Sequence, residues 1–340
     1  MYQFEITKNE AGQRFDKYLH KLLPLAPTSF FYKMLRKKNI VLNGKKAEGK
    51  EKLNEGDTVK LFLSEETFQS FAASATQTEA ATDSYLKAFQ TLKGIQVIYE
   101  NSHMLLLHKP AGILSQKAKE NDLSINEWLI GYLLREKKIT KASLSTYKPS
   151  ICNRLDRNTS GLVICACSLA GSQELGRLIA ERKIRKFYRL FVKGHIDKEG
   201  MIDGYLKKDS STNRVNILPK TDLVSQNEKG LDFHDFSYIK TRYYPVQKLS
   251  DMTYLEIELI TGKTHQIRAH MSSMGYPLLG DYKYGDSAWN EFYKKKYKIS
   301  SQLLHAYRLE IPQNELLTPQ EPMIFTDKEP FIYTKLLERG

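Results

Sequence analysis

Three cysteines in 340 residues, Cys152, Cys165 and Cys167, are few and odd in number. Two of them lie inside one apolar run, so disulfide pairing and a cysteine-bound metal are set aside in favour of reduced, packed thiols. No apolar stretch is long enough to span a bilayer. The opening Met1-Tyr2-Gln3-Phe4-Glu5 lacks the basic and then apolar pattern of a secretory signal, so a cytoplasmic protein is expected. Also missing is a basic amphipathic helix with a wide apolar face, the mark of a membrane-surface protein. Acidic residues fall short of basic ones, 39 against 52, leaving a net charge of +13. That excess points to a polyanionic partner, with nucleic acid leading. The length suggests two domains, and 41% hydrophobic residues suffice for a sizeable core.

What is present is an acid flanked by two arginines in the polar loop Asn153-Arg154-Leu155-Asp156-Arg157-Asn158-Thr159-Ser160-Gly161. The loop runs into Leu162-Val163-Ile164-Cys165-Ala166, apolar and short, which reads as a buried strand. Asp156 thus sits at the lip of a rigid element, where neighbouring guanidiniums favour its ionised form. An ionised Asp can act as nucleophile or base; a solvated ion pair or turn carboxylate is the plainer alternative.

Toward the N-terminus, residues 12–23 place Phe15, Tyr18, Leu19 and Leu22 at helical spacing, and Ser29 to Lys38 predict a second short helix on Phe31, Met34 and Leu35. Ile40-Val41-Leu42-Asn43-Gly44-Lys45-Lys46 reads as a strand broken by an Asn-Gly turn, and Thr58 to Leu63 as another strand. Arg14, Lys17, Lys33, Arg36, Lys37, Lys45 and Lys46 remain outside these apolar faces and are candidate phosphate contacts. Residues 1–66 therefore form a compact basic αβ module. From there the composition shifts to Ser, Ala, Thr, Gln and Glu without a usable apolar period, and 67–91 is expected to be a flexible linker.

Residues 92–340 form the second domain. Val97-Ile98-Tyr99-Glu100 and Met104-Leu105-Leu106-Leu107 predict two strands, ended by the turn His108-Lys109-Pro110-Ala111-Gly112. Ser124 to Arg135 predicts an amphipathic helix. Lys186 to Gly194 alternates as a half-buried strand with Tyr188 on the face of Leu190 and Val192, where an aromatic is ordinarily packing. Residues 200–235 are polar and read as strands with variable loops. Tyr254 to Leu259 alternates cleanly and leads into Thr261-Gly262-Lys263-Thr264-His265-Gln266-Ile267-Arg268-Ala269-His270, where Thr264 can cap a helix that Gly275 ends. Tyr293-Lys294-Lys295-Lys296-Tyr297-Lys298 is a basic, aromatic patch, either meeting phosphates or simply solvated.

Two tempting motifs fail. Gly262-Lys263-Thr264 resembles the end of a phosphate-binding loop, but the glycine needed earlier is Ile257. His265 and His270 miss the i, i+4 spacing of a zinc-protease helix, and no Glu follows His265, so no metal site is expected.

Taken together, the blocks resemble the RluA/RluC/RluD-type pseudouridine synthases. The nonapeptide is similar to that family's Arg-Leu-Asp-x-x-Thr-Ser-Gly signature, whose aspartate is catalytic. Lys109-Pro110-Ala111-Gly112 resembles a turn near its cleft, and Tyr188 the tyrosine that lies against its target base. The block around His265 resembles one whose last arginine, here Arg268, pairs with the aspartate. Asn153 stands where the family usually has His; it keeps only a hydrogen-bonding role. Lys263 replaces an Arg, keeping charge but losing bidentate geometry. The first module looks like the small RNA-binding domain named after ribosomal protein S-four, through Gly12 to Leu19, Ile40 to Gly44 and Gly56-Asp57-Thr58-Val59.

The resemblance implies an α+β fold, with a mixed, mainly antiparallel central sheet flanked by helices. It implies an RNA pseudouridine synthase with Asp156, Tyr188 and Arg268 at its centre, and RNA contacts by Arg154, Lys263, His265 and the cations of the first module. No cofactor is implied, the expected partner is RNA, most simply large-subunit ribosomal RNA with transfer RNA left open, and a monomer is expected. An RNA-binding assembly factor without activity and an N-glycosidase releasing uracil are the rival readings.

Overall fold

The computed structural model describes residues 1–7, 10–72, 75–145, 147–209, 214–219 and 236–338. The chain divides into two compact units, Met1–Leu107 with Ile113–Arg154 and Val163–Arg177, and His108–Gly112 with Leu155–Leu162 and Leu178–Gly340. Among the described residues, no helix is long and apolar enough to cross a membrane.

The first unit opens with β1 (Tyr2–Glu5), α1 (Phe15–Leu22), α2 (Thr28–Arg36), β2 (Ile40–Leu42), β3 (Lys45–Lys46) and β4 (Thr58–Leu61). The strands form an antiparallel sheet in the order β1-β4-β2-β3. The Asn43-Gly44 turn closes the β2–β3 hairpin as expected, both residues having positive φ, the signature of a type I′ turn. Phe15, Tyr18, Leu19 and Leu22 of α1 meet Phe31 and Leu35 of α2 and Ile40, Val59 and Leu61 of the sheet in one buried cluster. Removing those apolar faces from water, at roughly 25 cal/mol per Å² of apolar surface, is what holds so small a sheet together.

The expected linker differs. Residues 67–91 are largely helical, in α3 (Glu65–Phe71) and α4 (Ala75–Thr91). Ser64 caps α3 by accepting from the Thr67 N–H, and Phe68 and Phe71 pack on the first module's core. In α4, Ala88 is fully buried and Phe89 packs 5.4 Å from Trp128 of α5 (Ile125–Arg135). Gly131 permits this contact, since a Cβ there would stand 2.2 Å from the Tyr85 carbonyl oxygen. Alanine's helix propensity and this tertiary contact supply what a sparse apolar period does not announce.

β5 (Gln96–Glu100), β6 (Met104–Lys109), β7 (Ser150–Ile151) and β8 (Ser160–Ala166) follow. β7 pairs antiparallel with the end of β8, whose seven residues are all buried. Asn153 stays in this unit, where its Oδ1 accepts the Ile164 N–H at 2.7 Å.

The second unit is a long antiparallel sheet in the order β11-β10-β12-β13-β9-β14, from β9 (Arg185–Lys193), β10 (Gly200–Lys208), β11 (Val215–Pro219), β12 (Phe236–Lys248), β13 (Met252–Leu259) and β14 (Leu304–Ile311). The readings at 210–213 and 220–235 lie outside the described residues. β15 (Met323–Thr326) extends the sheet on β14, while the start of β8 pairs with β14 in parallel, so the sheet is mixed and mainly antiparallel. Gly161 makes that parallel contact possible: its φ is +115°, and a Cβ would stand 2.2 Å from the Ala306 carbonyl oxygen. Next to it, Ser160 Oγ shares a 2.9 Å hydrogen bond with His305 Nδ1. Helices α6 (Leu169–Ala180), α7 (Gln266–Ser273), α8 (Ser287–Tyr297) and α9 (Phe331–Leu337) complete the chain, α6 running from the first unit into the second.

Candidate active site

Asp156 lies in the second unit, immediately before β8. A tight turn closes behind it, with the Thr159 N–H donating to the Asp156 carbonyl at 3.0 Å. Lys109 and Gly112 hold the middle of that turn. The Lys109 ammonium donates to the Arg157 carbonyl at 3.0 Å and to that of Pro110 at 3.1 Å, and the Gly112 N–H reaches the same Arg157 carbonyl at 2.8 Å. Arg157 Nε returns a bond to the Gly112 carbonyl. The Lys-Pro-Ala-Gly turn is thus a clamp on the aspartate loop. Lys109 is fully buried. Burial pushes its pKa down to about 7, with the Asp156 charge opposing.

Arg268 comes from α7. Its Nη1 donates to Asp156 Oδ2 at 2.9 Å, while Nε and Nη2 engage the carboxylate of Asp281 at 2.7 and 2.9 Å. Burial works against the charge on Arg268, but the hydrogen bonds and attraction of Asp281, then those of Asp156, outweigh it and raise its pKa above the ordinary arginine value. Burial likewise penalises ionised Asp281; Arg268 and the backbone N–H groups of Lys283 and Tyr284 prevail and lower its pKa. Asp281 is the residue that sequence reasoning leaves without a role. It stands thirteen positions from Arg268, beyond any local spacing rule.

The helix that carries Arg268 begins differently from the expected Thr264 cap. Its N-cap is His265, in the left-handed region at φ 54°, with no side-chain cap. Gln266 replaces the cap: fully enclosed, its Oε1 accepts from the Lys263 N–H and from Thr261 Oγ1, and its Nε2 donates to the Lys240 carbonyl and Thr241 Oγ1. This tie locks the loop to β12, so the left-handed turn at His265 aims its ring at the site. His265 Nε2 lies 3.9 Å from Asp156 Oδ2, and Nδ1 shares a 2.9 Å hydrogen bond with the Tyr284 hydroxyl. Burial lowers the His265 pKa, helped by Arg268 and Lys283 and opposed by Asp156 and Asp281. Tyr284 also accepts the Val215 N–H and sits under the Arg268 guanidinium, 5.2 Å from its ring centroid.

Tyr188 is in β9, opposite Ile257 and Ala306. It is buried, and burial, then the Asp156 charge, raises its pKa, so the phenol keeps its proton. Asp156, Arg268, His265 and Tyr188 therefore share one neighbourhood within the second unit. The other candidates are exposed side chains: Lys263 in this unit, Arg154 and the seven N-terminal cations in the first. Of these, Arg14 is engaged by Asp16 at 2.7 Å.

A clamped carboxylate is thus held by a buried arginine, and the buried Tyr188 phenol feels its charge. Residues 103–273, half of the chain, match the family model for RNA pseudouridylate synthase. The chain belongs to that family. The synthase is 29% identical to an uncharacterised RNA pseudouridine synthase of Mycoplasma genitalium over 96% of this chain and 95% of that one. It is 27% identical to the ribosomal large subunit pseudouridine synthase C of Vibrio cholerae, over 90% of this chain and 87% of its relative. Among solved structures, human RNA pseudouridylate synthase domain containing 4 shares the fold, with a TM-score of 0.56 at 20% identity over 76% of this chain and 96% of that chain. The synthase is accordingly an isomerase that acts on RNA, and its α+β fold is that of the pseudouridine synthases.

Proposed function

We propose that the synthase isomerises uridine within large-subunit ribosomal RNA to pseudouridine, with Asp156 as the catalytic residue. The observation that carries this reading is the 2.9 Å contact of Arg268 Nη1 with Asp156 Oδ2, held by the two-pronged grip of Asp281 on the same guanidinium. The ribosomal substrate is supported by the name of the Vibrio cholerae relative.

Stacked RNA hides C1′ and C5 of the target, so the uridine is first extruded into the site. The N1–C1′ bond then breaks, the detached uracil turns, C5 joins C1′, and the C5 proton leaves while N1 gains one. Asp156 acts on the ribose, either attacking C1′ as a glycosidase carboxylate does or removing a sugar proton. Arg268 keeps that carboxylate aimed. Tyr188 lies against the base and, protonated, offers a hydrogen bond from its phenol. Bonds are exchanged within one nucleotide without net oxidation or added atoms, so the reaction calls for neither metal nor cofactor. Arg154 and Lys263 steady the RNA strand, and residues 1–66 anchor it through Arg14, Lys17, Lys33, Arg36, Lys37, Lys45 and Lys46, adding affinity with little sequence information.

The test uses transcribed large-subunit RNA carrying tritium at uridine C5, incubated with wild type and Asp156→Ala and then digested to nucleosides. Tritium release with pseudouridine recovered, lost in the variant, is the expected result. Free uracil instead identifies a glycosidase, and no change with either protein identifies a binding factor.

A further inference from the structure

The second unit carries a surface that the Asp156 chemistry does not use. Helix α8 ends in Lys294, Lys295 and Lys296, with Lys298 just beyond. Lysines at a helix C-terminus are ordinarily explained by the macrodipole alone. Rings left in solvent beside them are not: Phe292 is 53% exposed and Tyr282 44%. Lys296 Nζ lies 5.6 Å from the Phe292 ring centroid and 5.2 Å from that of Tyr297, and Lys294 Nζ 5.6 Å from that of Tyr282. Glu291 pairs with Lys294 at 3.1 Å; among the described residues no carboxylate pairs with Lys295, Lys296 or Lys298.

The patch is rigidly joined to the Asp156 site. Asn290 of α8 accepts the Gly280 N–H at 2.8 Å and donates to the Asp281 carbonyl at 3.0 Å. Asp281 in turn holds Arg268, and Tyr282 is the next residue along the chain. The surface therefore starts one residue from the group that orients Asp156.

The geometry points to a docking track for single-stranded RNA running from the Asp156 site over Tyr282 and along α8. Lys295, Lys296 and Lys298 meet its phosphates, and Phe292 stacks on a base flanking the target. This rests on the reading of the Asp156 site as the place where an RNA uridine reacts. Alternating cations and exposed rings suit single strands, whose bases are free to stack, better than duplex, whose bases are occupied. An anionic membrane is disfavoured, since one exposed phenylalanine is too little apolar surface to insert.

The probe is a fluorescein-labelled oligouridylate, titrated by anisotropy across a salt series with the full chain. Lys295→Ala/Lys296→Ala is expected to make the slope of log affinity against log salt shallower by about 1.4, two contacts at about 0.7 each. Phe292→Ala is expected to weaken binding roughly five- to a hundredfold without changing the slope, and Phe292→Tyr to restore it. All three positions are exposed, and thermal melting checks that the variants fold. Unchanged slope and affinity in folded variants overturn the track, as does a salt-slope change confined to duplex RNA or to phosphatidylserine vesicles. Tritium release from C5-labelled RNA is followed in parallel. Wild-type release with no effect of the variants on binding overturns the track alone. Binding through the patch without release overturns the isomerase role of Asp156 and supports the track.

Discussion

Asp281 grips Arg268 by Nε and Nη2, leaving Nη1 as the one guanidinium nitrogen that reaches Asp156. One buried acid therefore sets the direction in which the arginine presents its remaining donor. Lysine offers no such division of labour, because its ammonium cannot hold Asp281 in a bidentate fork and still point a fixed N–H elsewhere.

From this it follows that Asp281→Asn and Arg268→Lys both slow the chemical step, by different routes. Breaking a buried ion pair destabilises by about 3 to 5 kcal/mol, so Asp281→Asn lowers stability in urea by that order while leaving Arg268 misaimed. Arg268→Lys keeps the charge and loses less stability. Single-turnover tritium release at saturating RNA checks the pair: a wild-type rate in folded Asp281→Asn contradicts the orienting role.

Lys109→Met removes the buried amine that clamps the Arg157 carbonyl behind Asp156. The apolar replacement suits the enclosed position, so folding is retained while the aspartate loop loosens. A drop in kcat of about ten- to a hundredfold is expected, the scale that a displacement of ~1 Å produces, with KM little changed. Steady-state kinetics on C5-tritiated RNA decide it, and an effect confined to KM would place Lys109 in RNA binding.

His270 is buried, its Nδ1 shares a 2.8 Å hydrogen bond with Thr241 Oγ1, and its Nε2 has no partner among the described residues. Burial lowers its pKa to about 4, Asp203 opposing. The unfolded chain therefore binds a proton near pH 6.5 that the folded chain refuses until about pH 4. Stability from this group is full above pH 6.5 and is lost as pH falls toward 4, by about 3 kcal/mol at roughly 1.4 kcal/mol per unit. Urea midpoints measured across that range should fall less steeply in His270→Gln than in wild type; parallel profiles contradict the assignment.

Part of this site is legible in the sequence. The short apolar run after Gly161 is the fully buried β8. β9, expected to be half-buried, is instead covered on both faces, Phe187 and Phe191 being buried on one side and Tyr188, Leu190 and Val192 on the other. What stays hidden is long-range. Lys109 defeats expectation because a buried lysine is costly, and only the Arg157 and Pro110 carbonyls explain it. The Thr264 cap fails because Gln266, a side chain with no capping signature at that place, ties the loop to Lys240 and Thr241. The helices across 67–91 escape for the same reason, since Phe89 declares its worth only against Trp128. The role of Asp281 is likewise hidden until the fold brings it against Arg268.

Asp156→Asn asks whether the carboxylate of Asp156 does the chemistry. The amide keeps the shape of the carboxylate and an oxygen that can accept from Arg268 Nη1, yet it carries no charge and is no nucleophile or base. Single-turnover tritium release is measured together with RNA affinity and melting temperature. Release slowed by more than about 10⁴-fold is expected, the order seen when the central group of a catalytic constellation is removed, with affinity within a fewfold of wild type and the fold intact. Release within tenfold of wild type by folded, RNA-bound Asp156→Asn contradicts it.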